Sequence, residues 1–365
     1  MKSVLAVVGS IAAALLGVGV LAQAPQIQID AHVAAARAAA GMDYRNTFLN
    51  LCVPGTSGPG AARGAAARGP AGVPGAAGAP AATRGTDPAA RGRGAAGAGR
   101  GAAAQTTQNP NTYAPPFKVF DNLYWLGTRA HSSWALQTSA GIIIIDTNFA
   151  WATEPEIIGG LTKLGLKPAD IKFVIISHAH GDHDQGAAEL QKRFGAKVVM
   201  GAADWDATLQ RPATAAGGVP TKDISVGPEG YKLTLGDTTI DVVSTPGHTP
   251  GTLSYVFPVR HEGKLLMAAY SGGTLTGAFS AAGARWDEYV ASQRKIARAA
   301  ADAGATVILS NHSEYDDAYT KARLIAAPRQ AGEDHPFIVG ADAVGRYFAV
   351  MAECALASKL RNNAK

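Results

Sequence analysis

Ile171-Lys-Phe-Val-Ile-Ile-Ser-His178-Ala-His180-Gly-Asp182-His183-Asp-Gln-Gly186 decides how the rest of the chain is read. An apolar, β-branched run stops at Ser177, and three His and one Asp follow within six residues, in the pattern HxHxDH. Imidazole and carboxylate together suit a borderline cation such as zinc. Residues two apart in an extended segment face the same side, so His178 and His180 can grip one ion. Once the chain turns, Asp182 and His183 can reach a second. The competing reading is a polar loop with scattered histidines. The density of donors argues against it, as do the histidines that end later strands.

Outward from this stretch, Tyr113 onward reads as one compact domain, residues 113–365. Before the metal loop, strands are expected at Pro116–Leu126, Ser133–Thr138 and Gly141–Asp146, then an amphipathic helix at Glu154–Leu164 stopped by Gly165. After it come a helix at Gln185–Phe194, a strand at Ala196–Met200 and a hairpin over Tyr231–Val243 turning at Gly236-Asp237. Ser244-Thr-Pro-Gly-His248-Thr-Pro-Gly251 follows, then strands at Thr252–Val259 and Lys264–Tyr270, a helix at Trp286–Ala303, a strand over Thr306–His312 and a last helix at Ala341–Leu360. Strands interrupted by helices in both halves suggest two sheets back to back with helices outside. Three strand ends deliver His, at 178, 248 and 312, and sites in such folds are built from loops at strand ends.

The 365 residues are 47% apolar, enough to fill a core, and the formal net charge is +5. Val53–Thr112 holds Arg63, Arg68, Arg84, Arg91, Arg93 and Arg100, no Lys and only Asp87, so it carries the entire excess. The basic balance therefore says nothing about the catalytic part. Residues 53–112 are Gly, Ala, Pro and Arg without an aromatic, and they read as a disordered linker. Arg-Gly segments that bind RNA interleave aromatics for stacking; spacer is the expectation, with no nucleic-acid partner. Lys2, the apolar run Val4–Val20 and Val20-Leu21-Ala22 read as a signal peptide over residues 1–22. The alternative is an uncleaved anchor, for which the run is short. The expectation is an exported protein, periplasmic or secreted, without stable membrane insertion. Residues 23–52 read as a short helical segment in which His32 is a surface residue. Cys52 and Cys354 are the only cysteines, and in an exported chain they are expected to pair; two independent thiols are the alternative.

His178-Ala-His180-Gly-Asp182-His183, Thr245-Pro-Gly-His248-Thr-Pro-Gly251 and Ser310-Asn-His312 together resemble the metallo-β-lactamase superfamily, over roughly Pro116–Leu360. The resemblance implies an αββα sandwich with a metal pair at one edge, and it is most like the third subclass of metallo-β-lactamases. By that resemblance His178, His180 and His248 hold the first zinc, and Asp182, His183 and His312 the second. The first two subclasses place a Cys at the second metal, whereas glyoxalase- and lactonase-like members place a bridging Asp near the strand end that here reads Ala269-Tyr270-Ser271-Gly272-Gly273-Thr274, without Cys or carboxylate. The third subclass has neither ligand. It has a Ser pair that helps hold a β-lactam carboxylate; Ser271 and Thr274 are its imperfect counterparts here.

The mechanism so implied is attack by a metal-activated water, two zinc ions clamping the ends of the displacement. Asp182 binds the second zinc and orients the nucleophile. Asp146 is a candidate to hold the metal loop from the neighbouring strand, or else a strand-end cap. Tyr270, Phe149 and Trp151 are candidates to line the substrate pocket, with core packing as the alternative for the last two. His131 reads as a surface histidine, with an approach to the site mouth as the alternative. The expected partner is a small-molecule substrate: a β-lactam-like cyclic amide or, alternatively, a lactone, ester or thioester. A non-catalytic exported metal-binding or scaffold protein is the reading from another class.

Overall fold

The computed structural model describes residues 25–53, 112–274, 285–330 and 332–363. The expected signal peptide and residues 54–111 of the expected linker lie outside them.

Strands β1 (Phe117–Lys118), β2 (Leu123–Gly127), β3 (Ser132–Thr138), β4 (Gly141–Ile145), β5 (Ile171–Ile175), β6 (Lys197–Gly201) and β7 (Ile224–Val226) lie side by side in chain order as one sheet. β1 to β4 are antiparallel and β4 to β7 parallel. A second sheet has the order β12-β11-β10-β9-β8, formed by Tyr231–Leu235 (β8), Thr238–Ser244 (β9), Leu253–His261 (β10), Lys264–Ser271 (β11) and Val307–Ser310 (β12). Only β11 and β12 run parallel in it.

Side-chain alternation divides the interior into three apolar layers. From β4, Ile143 and Ile145 enter the layer between the sheets, with Trp125, Trp134, Tyr255, Phe257 and Leu309. Ile142 and Ile144 face the opposite way, against Ile157, Leu161, Leu190 and Trp205. A strand covered on both faces reads as an unbroken apolar run, which Gly141-Ile-Ile-Ile-Ile is. Val256, Ala269 and Ile308 on the outer face of the second sheet meet Tyr289, Ile296, Tyr347 and Met351.

Local boundaries differ where chemistry outside the periodicity intervenes. The helix expected from Glu154 begins at Ala150 and passes through a π-turn at Thr153–Ile158 before Gly159–Lys163. Pro155 lies inside that turn; it has no N–H to donate and its ring crowds the preceding carbonyl, so the regular ladder shifts there. The strand expected through His312 ends at Ser310, because His312 stands at the N-cap of a short helix, Ser313–Asp316.

Residues 25–40 and Arg45–Cys52 are helical and are not a separate appendage. Ala36, Ala40, Tyr44, Phe48 and Leu51 belong to the same apolar layer as the C-terminal helix Ala341–Asn363. Cys52 and Cys354 form a disulfide. His32, expected as an isolated surface residue, is only partly exposed and meets Glu353 Oε2 at 2.6 Å, which ties the helix of residues 25–40 to the same C-terminal helix.

The parallel register brings the carboxyl ends of β4, β5 and β6 to one edge. Ile145 pairs with Ile175, and Asp146 N donates to Ile175 O at 2.9 Å. The second sheet joins at this edge, where Leu253 N donates to Ser177 O at 2.8 Å.

Candidate metal centre

Loops at that edge bring six of the sequence-predicted donors together in two adjoining groups. In the first, His248 Nε2 lies 3.1 Å from His178 Nε2 and 3.1 Å from His180 Nδ1. In the second, Asp182 Oδ2 lies 3.2 Å from His183 Nε2 and 3.4 Å from His312 Nε2. The two imidazoles of that group are 3.2 Å apart, nitrogen to nitrogen. The rings of His178 and His183 connect the groups, with centroids 4.2 Å apart.

These spacings fit zinc. Ligand atoms about 2.0–2.1 Å from a tetrahedral centre lie about 3.3–3.4 Å from one another, and every separation above falls near that value. The protonation tendencies agree with a cation site. Burial, then the neighbouring imidazoles, holds His178 and His248 well below the usual histidine range, so both are neutral and offer lone pairs. Burial opposes a proton on His183, yet Asp182 and Asp146 outweigh it and raise its pKa to about 10. The carboxylates thus create a demand for positive charge here, which a cation meets as well as a proton. Asp182 is pushed up by burial but held well below the usual carboxylate range by His183 and His312.

Asp146 supports the second group. At φ 59° it turns off the end of β4 in the left-handed region. Its carboxylate accepts from Ser177 N at 2.7 Å, Ser177 Oγ at 2.7 Å and Tyr270 OH at 2.8 Å, and meets His183 Nδ1 at 3.1 Å. The tautomer of His183 is thereby fixed with Nε2 toward Asp182. His178 Nδ1 meets Gly272 O at 2.8 Å, which aims its Nε2 inward, and Asn311 Nδ2 donates to the same carbonyl at 2.9 Å. Gly272 is required by close approach, since a Cβ there would stand 1.6 Å from Leu253 O.

Several contributors carry no sequence signal. Thr147 donates through both N and Oγ1 to His183 O, at 2.7 and 2.9 Å. Asp204, 2% exposed, accepts from Ala179 N at 2.8 Å, Thr249 Oγ1 at 2.7 Å and Gly251 N at 2.9 Å. It therefore ties the loop of His178 and His180 to the loop of His248.

His131 corrects its expectation as a surface histidine. A bridge between His131 and His312 carries it into the site, where its Nε2 lies 3.6 Å from Asp182 Oδ2. With Asp182 and His312 it forms a three-donor set within 4.8 Å, as do His178, His180 and His248. Burial, then the charge of His312, lowers its pKa to about 3. Phe149 meets the His131 ring edge-on at 5.1 Å and stacks on Trp151 at 5.7 Å, making an aromatic wall that ends at the half-exposed Trp151.

The other expected pocket residues are placed differently. Tyr270 is wholly buried and spends its hydroxyl on Asp146, so it supports the second group rather than touching substrate. Ser271 and Thr274 are 1% and 5% exposed, which withdraws both hydroxyls from an approaching carboxylate. For Ser271 the sheet accounts for the position, since it closes the β11–β12 ladder opposite Ser310; Thr274 lies beyond the strand.

A sequence profile for the metallo-β-lactamase superfamily matches residues 126–261. The chain carries a metallo-β-lactamase superfamily domain. Hydroxyacylglutathione hydrolase of Xanthomonas axonopodis pv. citri is 32% identical over 201 residues, 54% of this chain and 66% of that protein. Its counterpart from Acidiphilium cryptum is 34% identical over 87 residues, 24% of this chain and 31% of that protein. The chain thus spans from about a third to just under two thirds of the curated relatives it matches. Among solved structures, BJP-1, a subclass B3 metallo-β-lactamase of Bradyrhizobium japonicum, aligns with TM-score 0.55 and 28% identity over 67% of this chain and 92% of that one. FEZ-1 metallo-β-lactamase from Legionella gormanii aligns with TM-score 0.58 at 22% identity over 70% and 98%, a likeness of fold. In this metallo-β-lactamase domain the Asp/His donor set at the sheet edge is of the kind that takes a divalent cation.

Proposed function

We propose that the protein is an exported hydrolase with two zinc ions per chain, acting on a strained cyclic amide of the β-lactam kind. One observation carries the reading: three imidazoles stand beside an Asp/His set, and no carboxylate stands between them at Ala269-Tyr270-Ser271-Gly272-Gly273-Thr274. That is the set the resemblance assigns to the third subclass, and BJP-1 is a subclass B3 enzyme by name. His178, His180 and His248 would hold one cation, and Asp182, His183 and His312 the other. Bound there, the pair supplies Lewis acidity and a water acidic enough to attack an acyl carbon at neutral pH. Asp182, as a ligand of the second cation, would orient that water. Asp146 and Tyr270 keep the imidazole of His183 aligned while charge shifts, and Phe149 and Trp151 exclude bulk water on one flank. Export is supported by the N-terminal pattern and by the Cys52–Cys354 bond, of a kind that persists in oxidising compartments.

A thioester substrate is the second reading, favoured by the matches to hydroxyacylglutathione hydrolases. Zinc-loaded protein assayed with nitrocefin, a carbapenem, a lactone and a hydroxyacylglutathione separates the two. Chelator-sensitive opening of a β-lactam supports the first; turnover of the thioester alone replaces it with the second. Turnover of nothing by protein holding two zinc ions would remove both.

A further inference from the structure

We propose that His131 is an additional protein ligand of the second cation, so that this site draws on four side chains: His131, Asp182, His183 and His312. The inference rests on the dizinc reading above and adds a donor which that reading does not assign.

Asp182 Oδ2 is the shared centre. It lies 3.2 Å from His183 Nε2, 3.4 Å from His312 Nε2 and 3.6 Å from His131 Nε2. His183 approaches from the buried side, with a wholly enclosed side chain, and His131 from the open side, with its side chain 17% exposed. A cation in contact with Asp182 and His312 is therefore flanked by both. The His131 ring, drawn in toward Asp182 from the open side, would add a further donor, and a five-coordinate cation would keep a position for water.

The backbone is built to deliver this ring. His131 bridges His312 across neighbouring segments, flanked by Ser132 N donating to Asn311 O at 2.8 Å and Ser313 N to Ala130 O at 3.0 Å. Two candidate ligands thus sit on paired backbone, and their rings are 4.9 Å apart. Thr128 Oγ1 accepts from His131 N at 3.0 Å and meets His131 Nδ1 at 3.2 Å, which turns Nε2 toward Asp182. A ring whose Nδ1 is engaged by an oxygen and whose Nε2 faces a carboxylate has the arrangement of a metal-binding histidine. Phe149, edge-on at 5.1 Å, limits its swing outward.

The test uses the whole chain, wild type against His131→Leu and His131→Gln, with metal-free thermal unfolding as the check that each variant folds. Zinc is titrated against a chelator of known affinity, and cobalt(II) absorption reports coordination. Wild type should take up two ions. Both variants should hold one of them with wild-type affinity and bind the other at least about a hundredfold more weakly, beyond the ten- to hundredfold expected from losing a partner that merely orients a ligand. The cobalt bands of the weakened site should change with the loss of a nitrogen donor. Unchanged affinity, or weaker binding with an unchanged cobalt spectrum, would overturn the inference while the dizinc reading stands. Wild type taking up fewer than two ions would overturn that reading, and this inference with it.

Discussion

His183 presents Nδ1 to Asp146 Oδ2 at 3.1 Å, and both side chains are wholly buried. The contact decides which nitrogen of the ring is left for Asp182 and the candidate cation. Asp146→Asn keeps the shape but exchanges a charged acceptor for an amide. The second cation should then bind about ten- to hundredfold more weakly. Tyr270→Phe removes one of the donors that hold Asp146 and should cost less. Chelator competition with zinc reads both, and wild-type affinity in Asp146→Asn would remove the role.

Asp204→Ala should lower stability markedly, although Asp204 touches neither donor group in the contacts above. It leaves Ala179 N, Gly251 N and Thr249 Oγ1 without their acceptor. A buried donor left unmade costs about 1–3 kcal/mol, so a loss of roughly 3 kcal/mol or more is expected. Calorimetric unfolding of metal-free protein checks this. A variant as stable as wild type would mean that the two loops hold together without it.

Stability should also depend on pH through Glu156, which is 3% exposed inside the π-turn. Burial raises its pKa to about 8, partly countered by Lys163. The folded protein keeps the proton over a range where the unfolded chain has lost it. The favourable contribution is therefore present below the ordinary carboxylate pKa and lost as pH rises through about 8, at up to about 1.4 kcal/mol per pH unit. Glu156→Gln should be more stable than wild type at pH 9, by a margin that shrinks toward pH 5. Parallel unfolding curves for the two proteins across that range would contradict the assignment.

Reducing the Cys52–Cys354 bond should free the N-terminal helices before the domain melts. The bond spans 302 residues, and in the chain-entropy model so long a loop contributes on the order of 5 kcal/mol. Limited proteolysis with and without reductant, read by mass spectrometry, should show early cuts near residues 25–53 only in the reduced protein. Two labelled thiols in unreduced, denatured protein would show that the bond does not form.

The donors that were legible in the sequence are those the chain itself crowds together, His178 to His183, and those announced by a strand ending in His, 248 and 312. The sheets were legible because Gly141-Ile-Ile-Ile-Ile and its neighbours are short apolar runs, as strands covered on both faces are. His131, Thr147 and Asp204 were not. Each acts on a segment far away in sequence, and parallel strand register, which no local pattern encodes, decides which loops meet. Tyr270 and Ser271 were placed at the right strand end, but the ladder with β12 was needed to show that both side chains are enclosed.

The disulfide also sets a timetable for biogenesis. Cys52 leaves the ribosome 302 residues before its partner, an interval of about 15–60 s at ordinary elongation rates. During it no other thiol of the same chain can trap it, since the sequence has only these two cysteines. Mispairing within one molecule is therefore ruled out, and the hazard is crosslinking between two nascent chains through Cys52. The bond cannot close until the helix Ala341–Asn363 that carries Cys354 has itself been made, so Cys52 must stay reduced and accessible over that interval.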